Sequence, residues 1–189
     1  IGGWRTRSDT ASAGQVRGMH SWIANNSDRW ISAGSYNKLY VYSGAGIQYD
    51  ITPTGFTAGN EDALTPVGYG NSFYGLEYYG TPRQESVTIT PATTWSMDSW
   101  GQYLVACSST DGKVYEWQLS TGTIAAVVAN APVNNRAILV TEERFLMCLG
   151  AGGNPRLVQW SDREDNTVWT PAATNEAGSL ELQTTGRIQ

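Results

Sequence analysis

The residues able to do chemistry are few and scattered. One histidine, His20, two cysteines, Cys107 and Cys148, and one acidic cluster, Asp162, Glu164 and Asp165 around Arg163, are the places from which a reactive centre could start. His20 stands between Met19 and Trp22 in an apolar strand pattern and reads as a structural side chain. With no second histidine, no Ser-His-Asp, Cys-His or histidine-rich metal centre is expected. The cysteines have neither a CxxC spacing nor histidine companions, so a zinc site is excluded. Each lies inside an apolar run, QYLVACS or RFLMCLG, where a thiol behaves as a small buried hydrophobe, and no disulfide is expected. Neighbouring carboxylates can hydrolyse glycosides and oxygen ligands can hold Ca²⁺, but the spacing of the acidic cluster fits neither an EF-hand nor a nonapeptide calcium repeat. A solvated turn is expected there, with Asp or Ser capping backbone and Arg163 pairing locally. Gly150-Ala151-Gly152-Gly153 lacks the Lys-Ser/Thr ending and the following helix of a phosphate loop, and reads as a hairpin turn. Neither cofactor nor catalysis is expected.

A binding surface is the other possibility. Between Gly55 and Arg83 the chain carries Phe56, Tyr69, Phe73, Tyr74, Tyr78 and Tyr79 among glycines, with few acids. Tyrosine gives contact area at low entropic cost, and glycine lets a loop lie flat on a partner. Phe56, Tyr69, Phe73, Tyr74, Tyr78, Tyr79 and Arg83 are therefore the candidate protein- or glycan-contact residues. A loop folded over its own domain would use the same composition.

The elements that must position these residues come from an internal repeat. Three segments share an apolar strand, a Gly/Ser/Asn turn and a strand that opens on Lys or Arg and closes on an aromatic. They are Arg29–Gly34 with Lys38–Tyr42, Gln102–Ala106 with Lys113–Trp117, and Arg144–Cys148 with Arg156–Trp160. From Tyr103 to Phe145 is 42 residues, and from Trp117 to Trp160 is 43. Propeller blades recur at about 40 to 50 residues, the length four short strands and their turns require. The first interval, Tyr42 to Trp117, is longer at 75, and the excess reads as an insertion. Each pair is preceded by a strand (17–22, 94–100, 136–140) and followed by another (46–51, 124–129, 179–183), which makes a four-stranded antiparallel meander. Asp111-Gly112 is a strong hairpin signal, with 35–37 and 152–155 at the equivalent turns. Apolar residues on both strand faces imply sheets covered on both sides.

The expected fold is thus all-β: a β-propeller of four-stranded antiparallel blades, three of them visible. Residues 14–55 form blade one, 56–84 the Gly/Tyr-rich insertion, 85–131 blade two and 132–183 blade three, with 184–189 starting a further blade. A β-sandwich competes, but has no need of the repeat. Because propellers take at least about four blades, and the chain runs from Ile1 to Gln189 in mid-pattern, a piece of a longer polypeptide is expected. Of the 189 residues 40% are hydrophobic and 15% charged, with 21 Gly, 10 Tyr and 8 Trp, a balance that suits a turn-rich all-β chain and excludes disorder. A net charge of −5 provides no general basic field for nucleic acid. No apolar run of about 18 residues is present to cross a bilayer as a helix.

Lys38–Tyr42, Trp117-Gln118-Leu119, Gly150–Arg156, the run Gln159–Pro171 and the following Ala177–Leu182 resemble a group of bacteriophage virion proteins. The resemblance covers most of the chain, and its motifs mark architecture rather than an active site. It implies a non-enzymatic structural component of the tail, similar to the propeller-bearing nozzle or hub proteins of short-tailed phages. These form a ring below the portal and adaptor, line the DNA exit channel and seat fibres. The implied partners are other tail subunits in a homo-oligomeric ring, with DNA passing but not bound specifically. The implied location is the virion, after synthesis in the host cytoplasm. Two alternatives remain: a carbohydrate- or receptor-binding propeller using the Tyr-rich insertion, and a propeller glycoside hydrolase with Asp98 or Asp162 in the central funnel.

Overall fold

Short runs rich in apolar and aromatic residues, several buried on both faces and broken by short polar turns, lay the chain out as strands. The structure, a computed structural model, describes residue 3, residues 6–64 and 89–186, and residue 188. The strands are β1 (Met19–Ile23), β2 (Arg29–Gly34), β3 (Leu39–Ser43), β4 (Gln48–Asp50), β5 (Trp95–Trp100), β6 (Tyr103–Ser108), β7 (Val114–Trp117), β8 (Ala126–Val127), β9 (Ala137–Val140), β10 (Leu146–Leu149), β11 (Leu157–Trp160) and β12 (Gly178–Glu181). Among the described residues the only helical element is one 3-10 turn at Ala151–Gly153. The fold is all-β, with three four-stranded antiparallel sheets, each a meander in chain order: β1-β2-β3-β4, β5-β6-β7-β8 and β9-β10-β11-β12. Four strands per unit, three units, is the organisation the repeat predicts.

The sheets stack in sequence and meet most closely at their first strands: β1 packs against β5, and β5 against β9. Two apolar layers result. Between the first and second sheets lie Trp22, Trp30, Leu39, Val41, Leu104, Tyr115 and Trp117. Between the second and third lie Trp100, Val105, Cys107, Val114, Ile138, Leu146, Cys148 and Trp169. Trp117 sits edge-on to Trp22 and Trp30, with ring centroids 6.5 and 5.3 Å away. Such pairs contribute about 0.5–1.5 kcal/mol beyond their area burial. Packing is tight enough to fix composition. A Cβ on Gly34 would stand 2.3 Å from the Trp95 ring, whose Nε1 donates to the Ser35 carbonyl at 2.7 Å. Gly112, at φ 60, does what the Asp-Gly signal requires, and a Cβ there would meet the Asn134 backbone at 2.4 Å.

Residues opposite one another on an antiparallel ladder share a face, so the registers say which positions correspond. Ile31 pairs with Tyr42 in the first sheet, as Leu104 pairs with Trp117 in the second. Tyr42 and Trp117 therefore occupy the same place, as the motif they close suggests. The third sheet departs from the expectation. Leu146 stands where Leu104 does, 42 residues on, but it lies opposite Ser161, which donates its N–H to the Leu146 carbonyl at 3.0 Å. Trp160 pairs instead with Met147 and points to the other side. The equivalence of Trp117 with Trp160 is thereby corrected, and Leu157, expected on the face opposite Trp160, is turned toward the second sheet. The cause is a one-residue mismatch: the residue opposite Leu146 is Ser161, 44 after Trp117, whereas the aromatic motif recurs after 43. An offset of one residue along a strand exchanges its faces.

Candidate contact site: the seams and the outer faces

At each seam the first strand of one sheet reaches the first strand of the next through side chains at corresponding positions. His20 pairs with Ser32 in β2, and Asp98 with Val105 in β6, so the two residues hold the same place in successive sheets. His20 Nε2 is 2.8 Å from Ser99 Oγ, and Asp98 Oδ2 accepts the Val140 N–H at 2.8 Å. Ser99 and Val140 correspond in turn, opposite Leu104 and Leu146. One position further on, Trp22 Nε1 donates to the Gln102 carbonyl at 2.9 Å, and the Trp100 ring lies 5.1 Å below the Arg144 guanidinium. Gln102 and Arg144 both close the first hairpin of their sheets. The seam thus recurs, position by position, with different chemistry at each copy.

The second seam is the more polar. Ser96 Oγ donates to the Ile138 carbonyl at 2.8 Å and accepts the Ile138 N–H at 3.1 Å. Asp98 accepts a second backbone N–H, from Ser99, at 2.8 Å through Oδ1. These side chains saturate backbone groups on strand edges that would otherwise be open. The first seam is more aromatic. His20 stacks on Trp22 at 5.9 Å, and burial pushes its pKa below the ordinary 6.5, with the Asp98 charge pulling partly the other way. The imidazole is neutral at physiological pH.

Two sheet faces lie outside these seams. On the first sheet, Met19, Ile23, Ile31 and Tyr42 turn away from the second sheet, with Met19 66% and Ile23 61% exposed. A strap from the amino-terminal segment crosses the outer half of this face. Arg7 Nη2 donates to the Gly44 carbonyl at 2.6 Å, Asp9 accepts the Gln48 N–H at 3.1 Å, and the Ala13 N–H reaches the Tyr40 hydroxyl at 3.2 Å. On the third sheet the face turned from the second sheet carries Leu139, Met147, Leu149, Val158, Trp160 and Leu180. None of these is charged, and Leu180 is 58% exposed.

Of the contact residues predicted from sequence, Phe56 is the one described. It is half-buried in the first seam, stacked on Trp95 at 5.3 Å and edge-on to Tyr115 at 6.3 Å. Tyr69, Phe73, Tyr74, Tyr78, Tyr79 and Arg83 lie outside the described residues. The acidic cluster is a turn. Asp162 Oδ1 accepts the N–H groups of Arg163 and Glu176 at 2.9 and 2.8 Å. Asp165 Oδ1 accepts the Thr167 N–H and hydroxyl at 2.8 and 2.6 Å, bonds that hold its pKa below the usual carboxylate value. Among the described residues no group of three or more His, Cys, Asp or Glu is placed to hold a metal ion. An open cleft of about 460 Å³ beside β8 contains one carboxylate, Glu116, and both its oxygens already accept bonds, from Gln118 and Asn166. Cys107 and Cys148 are free, buried thiols in the second seam; burial pushes Cys107 up to about 12, and Cys148 upward too.

Sequence reasoning missed Ser99, Ser96 and Asp98 as seam residues. The only available signal was small polar residues at alternate positions in a strand that is otherwise aromatic at both ends. No family model, no curated protein and no solved structure matches the chain. Among the described residues no helix is long and apolar enough to cross a membrane.

Proposed function

We propose that the three sheets are consecutive blades of a β-propeller, and that the protein is a non-enzymatic structural component of a bacteriophage tail, of the nozzle or hub type. The recurring seam carries the architectural half of this reading. His20 and Asp98 hold one position in successive sheets, and both reach the first strand of the next. First strands in mutual contact, with the later strands of each meander further out, are what blades around a common axis require. The virion half rests on the sequence resemblance of the runs Gly150–Arg156 and Gln159–Pro171 to bacteriophage virion proteins, from which the tail role is implied. The polar groups support a mechanical rather than a chemical role. Asp98 and Asp162, either of which could serve the hydrolase alternative, accept bonds from backbone N–H groups.

In this role the blades present loops and outer faces to other tail subunits in a ring about the DNA exit channel. A net charge of −5 keeps DNA from adhering. The test is decoration of virus particles. Antibodies raised against the chain and imaged on virions of the encoding phage by electron microscopy are expected to mark the tail below the portal. Labelling of heads alone, or of no particle, would overturn the assignment.

A further inference from the structure

We infer that β8, the outer strand of the second sheet, is a docking edge for an extended segment of a partner protein. That segment adds to the sheet as a further antiparallel strand and carries a lysine or arginine opposite Ala126. The inference uses the second sheet and its immediate neighbours, and stands apart from the propeller and tail readings. Edge strands are commonly guarded by charge, and the repeat shows the guard twice. The cation that precedes the third strand pairs with an acid on the outer strand in the first sheet, Lys38 with Asp50 at 2.7 Å, and in the third, Arg156 with Glu181 at 2.6 Å. Lys113 precedes β7 in the same way, yet β8 offers it no acid, and residues 117–135 carry no charged side chain.

The backbone of β8 is open as well. Val128 donates its N–H to the Val114 carbonyl at 2.9 Å, so by alternation Ala126 also faces β7, while Ala125 and Val127 turn their N–H and C=O groups outward. The Ala125 N–H donates to the Ile51 carbonyl at 2.9 Å, a ladder bond from outside the sheet. The Val127 N–H and C=O have no partner among the described residues, and Val127 is 52% exposed. Outward backbone groups of this kind are met by another strand, and the side chains say which. A residue opposite Val127 shares its face and packs on it. The residue opposite Ala126 projects into the cleft of about 460 Å³, where Glu116 is the one charged lining group. Glu116 stands opposite Ala126 on β7, and the alanine methyl leaves the way to it clear. Its two oxygens accept from Gln118 and Asn166, and each keeps a second lone pair for a cation.

The probe is a capped hexapeptide, Ser-Val-Thr-Val-Lys-Gly, titrated into the full chain by fluorescence anisotropy. Its second valine stands opposite Val127 and its lysine opposite Ala126. Saturable binding is expected. Glutamate in place of the lysine is expected to weaken it at least about tenfold, since a charge-assisted bond gives way to repulsion, and Glu116→Gln to remove that preference. Val127→Pro deletes the outward N–H without touching the β7 ladder, and is expected to abolish binding with near-ultraviolet circular dichroism unchanged. If that variant fails to fold, proline in place of the peptide's second valine removes the reciprocal donor and is expected to do the same. Absence of binding, equal binding of the lysine and glutamate peptides, or indifference to the proline changes would each overturn the inference. So would a Val127 amide that exchanges with solvent as slowly as that of Val128 in the free chain, since the chain's own residues would then cover the edge. None of these outcomes touches the propeller reading, which falls instead if an experimental structure shows the three sheets without a common axis.

Discussion

Asp98 accepts one backbone N–H from its own strand and one from the neighbouring sheet, at 2.8 Å each. An amide has a single acceptor oxygen, so Asp98→Asn leaves one of these N–H groups facing a donor. Hydrogen bonds to charged groups are worth about 1.5–3 kcal/mol, and an orphaned buried donor costs about 1–3 kcal/mol. Asp98→Asn is accordingly expected to lose about 1–3 kcal/mol of stability, read from urea denaturation. His20 sets a pH dependence of definite sign. Its folded pKa lies below the ordinary 6.5 because burial disfavours the imidazolium. Between those values the unfolded chain binds more protons, so stability rises with pH, is complete above about 6.5, and is lost on acidification below it. The denaturation midpoint of the wild type is expected to fall between about pH 7.5 and 5.5, and His20→Asn to flatten that fall. The sequence pointed to His20 as structural, which its stacking on Trp22 agrees with. Its partner was not legible, because Ser99 is 79 residues away and nothing local marks a hydroxyl for a distant ring.

At the level of strands and turns, alternation and spacing were enough. The third strand of every sheet was readable from an aromatic-rich run after a Gly, Asn or Ser turn, and the 42-residue step from Tyr103 to Phe145 is preserved in the sheets. What stayed hidden was face. The motif ending in Trp160 looks like the one ending in Trp117, but it falls one residue short of the equivalent paired position, which reverses its orientation, and register is invisible when strands are matched by their aromatics. Phe56 shows the same limit: an aromatic at the edge of a Gly/Tyr-rich segment resembles a surface residue until Trp95 and Tyr115 close on it. Close sheet approach also gives a sharp prediction. Gly34→Ala places a methyl against the Trp95 ring and is expected to destabilise by about 1–3 kcal/mol, as overpacking does. Thermal denaturation checks it, with Gly44→Ala, whose Cβ meets nothing nearer than 3.5 Å, as the tolerated control.

For the molecule as a whole, the two thiols report on how the sheets come apart. Cys107 belongs to the second sheet and Cys148 to the third, yet both are fully buried in the layer between them. Burial raises both pKa values, so neither is a reactive thiolate near neutral pH. A thiol reagent is expected to label neither in the native state and both together, with one rate, as denaturant is added. Labelling of Cys148 well before Cys107 would mean that the third sheet unfolds by itself. The polar contacts of that layer are not spread evenly. Ser96 and Asp98 grip the backbone of Ile138 and Val140 side by side at the first strands of the two sheets, and most of the apolar residues lie on the later strands. A force sliding one sheet past the other would strain all these bonds at once. A force prising the sheets open from the later strands would meet apolar contacts and the separate Asn166–Glu116 and Asn130–Thr167 bonds, which give way in succession. The chain is therefore built to resist shear more than peeling.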